Sequence, residues 1–235
     1  MSMTLRPEHQ VHAEYYRQRA SEYDAVYRKP ERQAELALLR EMLPPLVGGL
    51  RVLEIAAGTG YWTQVLARSA ASIVATDLNP ETLAMAGRRS FGDARVQLLA
   101  ADAYDLGPVL GETVLGEPVA SAFDLVFCGF WWSHVLRADI PSFLGGLRSQ
   151  VGPGTSLILL DNRYVSGSSQ PVSRTGPGGD TYQQRRLGER GDGGPYEVVK
   201  NFPHRAQLTA DLAAFAAEVT WTELEYYWLA TAVLA

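Results

Sequence analysis

One cysteine in 235 residues, Cys128, leaves no partner for an internal disulfide. That excludes the disulfide-stapled scaffolds of small secreted domains and points to a reducing compartment, the cytoplasm. No apolar run approaches the roughly 18 residues of a membrane span, and no N-terminal apolar stretch reads as an export signal. Positive charge is also scarce: 21 Lys and Arg stand against 26 Asp and Glu, a net charge of −5. A nucleic-acid partner generally needs a basic surface. The doublets Arg88-Arg89 and Arg185-Arg186 read as solvated side chains rather than a phosphate track, so neither nucleic acid nor membrane is an expected partner. The single cysteine and four histidines form no cluster with metal-ligand spacing. A G-x-S-x-G nucleophile elbow is missing too.

What is present is an ordinary globular composition, 46% hydrophobic and 20% charged. A chain of this length builds one α/β domain, taken as 1–235, with ample core. From 51 to 161 the pattern alternates. Strands are predicted near 51–56, 72–77, 95–100, 123–129 and 155–161, with helices near 60–69, 80–89 and 139–150. Asn79-Pro80-Glu81 reads as a helix start, a capping Asn followed by Pro at the first helical position. Alternation of this kind implies a parallel sheet with helices on both faces.

The densest information lies in Glu54-Ile55-Ala56-Ala57-Gly58-Thr59-Gly60, at the end of the first apolar run. Glycines there let the backbone turn tightly and approach a ligand where a Cβ would clash. A second apolar run, Ile73 to Thr76, stops at Asp77, an acid placed to accept hydrogen bonds from ribose hydroxyls. Strand, glycine turn, helix, strand and acid form the grammar of a nucleotide-handling βαβ unit. A dinucleotide fingerprint wants a third glycine, and Thr63 occupies that position. Glu54 beside the turn repels a pyrophosphate but suits a cationic ligand.

These residues resemble motif I of the Rossmann-like, class I S-adenosylmethionine (SAM)-dependent methyltransferases, usually (D/E)-x-G-x-G-x-G. Ala56 stands where that pattern has its first glycine. The resemblance runs over about residues 50–160. Asp77 matches the ribose-binding acid, Leu78 the apolar residue on the adenine, and Asp102-Ala103 the pair beside the adenine amine. Phe123 to Cys128 resembles the fourth strand, with Cys128 and Gly129 among the cofactor-side positions and Phe130 at its exit. The family implies a seven-stranded, mostly parallel sheet of order 3-2-1-4-5-7-6 with its last strand antiparallel. It also implies SAM as cofactor, with S-adenosylhomocysteine as product. The Asn/Asp-Pro-Pro-Tyr signature of many base-amine methyltransferases is absent.

Two further regions belong to this reading. Residues 9–28 predict a helix broken at Pro30, and 31–42 a second helix stopped at Pro44-Pro45. By resemblance, residues 1–45 form a helical lid, with Tyr15, Arg19 and Tyr23 near the methionine end of the cofactor. Residues 162–204 are rich in Gly, Ser, Pro and Arg and follow the fifth strand, at the sheet edge where α/β ligands bind. They predict a substrate cap with a hairpin near 181–187 and 196–200. A helix near 207–217 and a closing hairpin over 218–234 complete the chain.

The acceptor side is expected at the exit of the fourth strand. Phe130, Trp131 and Trp132 offer walls for a flat acceptor, and His134 a general base with an ordinary pKa of about 6.5. Arg163, directly after the fifth strand, and Tyr182 in the cap complete the substrate set. Phe130 to Val135, Lys200 to Pro203 and Glu225 to Leu229 resemble stretches of small bacterial methyltransferases, including azapteridine N-methyltransferases of the toxoflavin type. The expected activity is methyl transfer to N or O of a small aromatic or heterocyclic acceptor by a cytoplasmic monomer or homodimer, without a metal. A nicotinamide-dependent oxidoreductase and a non-catalytic SAM-binding protein are the competing readings.

Overall fold

The computed structural model describes residues 6–107, 113–114, 117–118, 123–187 and 194–235. Seven strands form the main sheet: β1 (Arg51–Ile55), β2 (Ser72–Asp77), β3 (Arg95–Ala100), β4 (Leu125–Gly129), β5 (Ser156–Asn162), β9 (Ala216–Glu223) and β10 (Tyr227–Leu234). Their order is β9-β10-β5-β4-β1-β2-β3. β1 to β5 run parallel, β10 is antiparallel to β5, and β9 is antiparallel to β10. A separate three-stranded sheet, β6 (Arg174–Thr175), β7 (Thr181–Arg185) and β8 (Tyr196–Val199), follows β5. This is the expected Rossmann-like methyltransferase architecture, with the hairpin in the inserted segment at its expected place.

The core explains why the strands read as continuous apolar runs. Successive strand residues point to opposite faces, and here both faces are buried. Leu53, Val126, Leu157 and Leu159 pack on one side with Phe143 and Leu144 of α5 (Ile140–Val151) and Leu208 of α6 (Arg205–Leu212). Val52, Leu125, Ile158 and Leu160 pack on the other with α2 (Gln33–Val47) and α3 (Tyr61–Leu66).

Four local predictions are corrected. The N-terminal helix is α1 (Pro7–Arg19), and residues 20–28 tighten into 3-10 turns rather than continuing it. α2 does not stop at Pro44-Pro45 but runs through both to Val47. Proline at 44 frees the carbonyl of Arg40 from its helical donor, and Arg68 Nη1 donates to that oxygen at 2.8 Å. The helix predicted near 207–217 is α6, which ends at Leu212, and β9 begins at Ala216. α4 (Pro80–Ala86) starts as predicted, yet the Asn79 side chain makes no capping bond. The Asp77 carboxylate takes that work, accepting from Asn79 N–H at 2.8 Å and Thr82 Oγ1 at 2.9 Å.

The two glycines of the β1–α3 turn differ in what they require. Both have positive φ, 57° at Gly58 and 75° at Gly60. A Cβ on Gly60 would lie 2.9 Å from Ala86 Cβ and 3.2 Å from Ala86 Cα, so α4 packs directly on this position. A Cβ on Gly58 would meet only Tyr23 Cε1, at 4.0 Å. Gly60→Ala is therefore expected to cost about 2–3 kcal/mol, backbone strain plus overpacking, and Gly58→Ala about 1 kcal/mol. Equal urea midpoints for the two variants would contradict this.

Candidate active site

The carboxyl ends of β1, β2 and β4 meet above the sheet, and two adjoining chambers open there. The first is lined by Ala56, Gly58, Asp77, Leu78, Asp102 and Ala103, with Gly129 and Trp131 opposite. The second lies between the 3-10 turns after α1 and the segment after β5. Tyr16, Tyr23, Phe130 and His134 belong to the walls of both, so the chambers join at these four side chains.

The loop of the first chamber is held by carboxylates. Asp77 Oδ2 accepts from Gly58 N–H at 2.8 Å, while its Oδ1 serves Asn79 and Thr82. Both oxygens of the expected ribose acid thus also build the loop. Burial raises the Asp77 pKa, opposed by those same hydrogen bonds. Asp24, in the 3-10 turns, accepts from Thr59 Oγ1 at 2.5 Å and pairs with Arg89, which also donates to the Thr59 carbonyl at 2.6 Å. The N-terminal segment is thereby latched onto the glycine turn. Ala56 has φ 55° and Phe130 φ 60°, both in the left-handed region that favours glycine. Such strain clusters at ligand sites, and at Ala56 it falls where the family pattern has glycine.

Glu54 is 2% exposed and stands beneath this loop in sequence, two residues before the wall position Ala56. Its Oε2 has no hydrogen-bond partner among the described residues, and burial, opposed by the Thr63 hydroxyl, pushes its pKa up to about 8. An orphaned buried carboxyl oxygen beside a glycine turn is a donor-seeking group, which fits a cationic ligand carrying an ammonium. Gly60 packs on Ala86 rather than lining either chamber.

At the junction, His134 Nδ1 lies 2.7 Å from the Val199 carbonyl oxygen. A carbonyl only accepts, so Nδ1 carries the proton and Nε2 presents its lone pair to the Tyr16 hydroxyl, 3.2 Å away. Burial, with help from His12 and Lys200, holds the His134 pKa well below 6.5, so the ring is neutral. His12 touches it, ring centroids 4.3 Å apart, and is itself pushed down to about 3 by burial.

Glu54, like Gly60, is not among the lining residues of either chamber, and five further expected site residues lie elsewhere. Tyr15 is buried, receives a hydrogen bond from Arg19 at 3.0 Å and packs on Tyr196; its neighbour Tyr16 is the one that faces the chambers. Cys128 is fully buried in the core, its thiol pKa raised by burial. Trp132 is 2% exposed and packs on Phe143. Arg163 turns to the β9–β10 connection, donating to the Leu224 carbonyl and pairing with Glu223 at 2.9 Å. Tyr182 lies under Arg174, 3.5 Å from ring centroid to guanidinium. Strand alternation explains the last: Gln183 and Arg185 share the face toward the second chamber, and Tyr182 points away.

Sequence reading also missed residues. His9 and His12 line the first chamber and Tyr16 lines both, while Arg19, expected near the cofactor, lines the second. The signal was available: His9, His12, Tyr16, Arg19 and Tyr23 repeat at spacings of three and four, one face of a helix.

Comparisons agree with this geometry. Residues 52–154 match the family described as methyltransferase domain. A 71-residue stretch is 44% identical to demethylmenaquinone methyltransferase of Clavibacter sepedonicus, covering 30% of this chain and 28% of that protein. The chain spans about a quarter to a half of the length of the curated relatives it matches. Among solved structures, DhpI in complex with SAH is similar over 99% of both chains, with 29% identity and a TM-score of 0.75. A DhpI-SAM-HEP complex gives 28% and 0.72 over 98% of this chain and 99% of DhpI. The 1,6-didemethyltoxoflavin-N1-methyltransferase of Burkholderia thailandensis shares the fold at 17% identity and a TM-score of 0.60, over 100% of this chain and 93% of that one. The chain thus resembles the class I SAM-dependent methyltransferases in its fold and in its central sequence.

Proposed function

We propose that this chain is a SAM-dependent methyltransferase acting on N or O of a small molecule. The observation that carries the reading is the pair of chambers joined at Tyr16, Tyr23, Phe130 and His134. The cofactor is S-adenosylmethionine, which supplies a methyl carbon activated by a sulfonium. Asp77, Leu78, Asp102 and Ala103 would hold its adenosine, and Glu54 its ammonium. The chain's own contribution is proximity, alignment and exclusion of water. Aromatic rings of Tyr27, Phe130, Phe202 and Tyr227 in the second chamber support a flat, aromatic or heterocyclic acceptor. The concave second chamber favours a small molecule over nucleic acid or a membrane surface. Among the described residues no helix is long and apolar enough to cross a membrane, and we place the enzyme in the cytoplasm as a monomer or homodimer.

His134 bears on the reaction through its proton inventory. Its Nε2 lone pair reaches the junction through Tyr16, but the burial that keeps it neutral also makes it a weak proton acceptor. An acceptor that arrives with its nucleophilic atom already unprotonated suits this site best.

The test is calorimetric titration with SAM, S-adenosylhomocysteine and NAD, followed by mass spectrometry of candidate acceptors. Micromolar adenosyl-ligand binding without NAD binding, and a product heavier by one methyl, are expected. NAD binding would favour the oxidoreductase; cofactor binding without any product would favour a non-catalytic binder.

Glu54 adds a pH signature. In the free protein its carboxyl keeps its proton up to about 8, whereas an unfolded glutamic acid loses it near 4.3. Stability of the free protein therefore falls as pH rises across that window. Binding of a cation favours the carboxylate, so SAM binding at pH 7 should release close to one proton. Affinity should rise by up to about tenfold per unit toward pH 8 and then level off. Glu54→Gln should abolish both effects; an unchanged pH profile in that variant would remove Glu54 from the site.

A further inference from the structure

The second chamber carries more positive charge than the single carboxylate of the proposed cofactor uses. Arg19, Lys29, Arg32, Arg185 and Lys200 all contribute to its wall, and no Asp or Glu does among the described residues. In a chain of net charge −5, this concentration of cations around one cavity runs against the overall balance. Among the described residues Lys200 alone of the five has a direct carboxylate partner, Asp161 at 3.1 Å. Glu31 acts on Lys29 and Arg32 from beyond Ser168, whose hydroxyl it accepts at 2.7 Å, and the direct hydrogen-bond partners of the other four are neutral groups. Arg32, 6% exposed, donates to Ser168 Oγ at 3.0 Å and Asn162 Oδ1 at 2.9 Å. Lys29 donates to the Ser168 carbonyl, Arg19 to Tyr15, and Arg185 to Gln183 Oε1 at 2.6 Å. The Nε of Arg185 is buried and has no hydrogen-bond partner among the described residues.

Burying an uncompensated guanidinium is costly unless a ligand supplies the counter-charge. The cations also work against one another. Burial first, then Arg32 and Arg185, lower the Lys29 pKa, against an opposing pull from Glu31. Burial also lowers that of Lys200, with Arg185 and Arg32 again opposing its charge. The cofactor does not relieve this. SAM carries one carboxylate against an ammonium and a sulfonium, so its arrival adds net positive charge beside the junction. One carboxylate also occupies one or two of these side chains and leaves the rest unmatched.

We propose that the second chamber recognises a methyl acceptor bearing a compact oxyanion, phosphoryl or carboxyl, held by Arg19, Lys29, Arg32, Arg185 and Lys200. The proposal rests on the methyltransferase reading only for the word acceptor; the anion site itself rests on the cavity. Guanidinium forks match the oxygens of such groups in pairs, and each such bond is charge-assisted. The aromatic rings of the same chamber then face the remainder of the acceptor.

The test titrates inorganic phosphate, and separately acetate, into the full chain by calorimetry, free and saturated with S-adenosylhomocysteine. Phosphate is expected to bind the saturated protein. Arg185→Gln and Arg32→Gln should each weaken that binding about tenfold or more, with S-adenosylhomocysteine affinity checking that the fold survives. Arg32→Lys, which keeps the charge and loses the fork, should fall between. Tighter phosphate binding identifies a phosphoryl acceptor and tighter acetate binding a carboxyl one; either supports the site. Two results overturn it: no anion binding in either state, or binding to free protein that S-adenosylhomocysteine abolishes, since the cations would then serve the cofactor's own carboxylate. Anion binding without S-adenosylhomocysteine binding would leave the anion site standing and sink the cofactor reading.

Discussion

Trp132→Ala is expected to destabilise the protein by about 3–5 kcal/mol, the usual result of emptying a buried aromatic position. Trp131→Ala should leave the urea midpoint nearly unchanged and weaken S-adenosylhomocysteine binding instead. The two residues are adjacent and of one type, so the contrast isolates position. Trp132 is 2% exposed within the cluster of Val135, Ile140 and Phe143. Trp131 is half-buried, lies on the first chamber's wall, and meets His12 and Tyr104 at centroid distances of 5.7 and 6.0 Å. Its indole Nε1 has no hydrogen-bond partner. Comparable loss of stability in both variants would mean that the chamber wall is structural. Comparable loss of binding without loss of stability would mean that Trp132 also reaches the ligand.

That contrast also marks where reading the chain succeeds and where it stops. The sheet order was legible because both faces of β1, β2, β4 and β5 are buried, which writes each strand as an apolar run, and because glycine and acid follow β1 and β2 at motif spacing. Ala56, Gly58, Asp77, Leu78, Asp102 and Ala103 line one chamber, as the motif arrangement implies. Side-chain direction at strand exits was not legible. Trp131 and Trp132 have the same chemistry, and only the 3-10 turn at 132–134 decides which one enters the core. Arg163 and Tyr182 fail for the same reason: a place at the right sheet edge does not say which way the residue faces. Four of the chamber's cations were hidden differently. Arg19, Lys29, Arg32 and Arg185 are spread over more than 160 residues of sequence, and only the approach of the segment after β5 to the N-terminal turns gathers them.

Asp77→Ala should lower S-adenosylhomocysteine affinity by more than a hundredfold, about 2.7 kcal/mol or more. The reason is not confined to a ribose contact. The carboxylate joins the glycine turn, through Gly58 N–H, to the start of α4, through Asn79 N–H and Thr82 Oγ1. Alanine leaves the Gly58 and Asn79 N–H groups without this acceptor, while the Thr82 hydroxyl keeps the Asn79 carbonyl at 2.7 Å, and each bond to a charged acceptor contributes about 1.5–3 kcal/mol. Asp77→Asn separates this clamp from a pure ribose role. Asparagine offers an acceptor oxygen on one side only, so its amide hydrogens must face either Gly58 N–H or the α4 donors. A ribose role by itself is partly kept by asparagine, which still accepts from one hydroxyl. A clamp is broken by it, so Asn should approach Ala in its effect, while Thr82→Val, which removes a single bond, should change affinity by only a few-fold. Titration of the folded variants with S-adenosylhomocysteine decides the matter. If Asn binds like the parent protein, the turn does not depend on Asp77 and is held by Asp24, Thr59 and Arg89 from the other side.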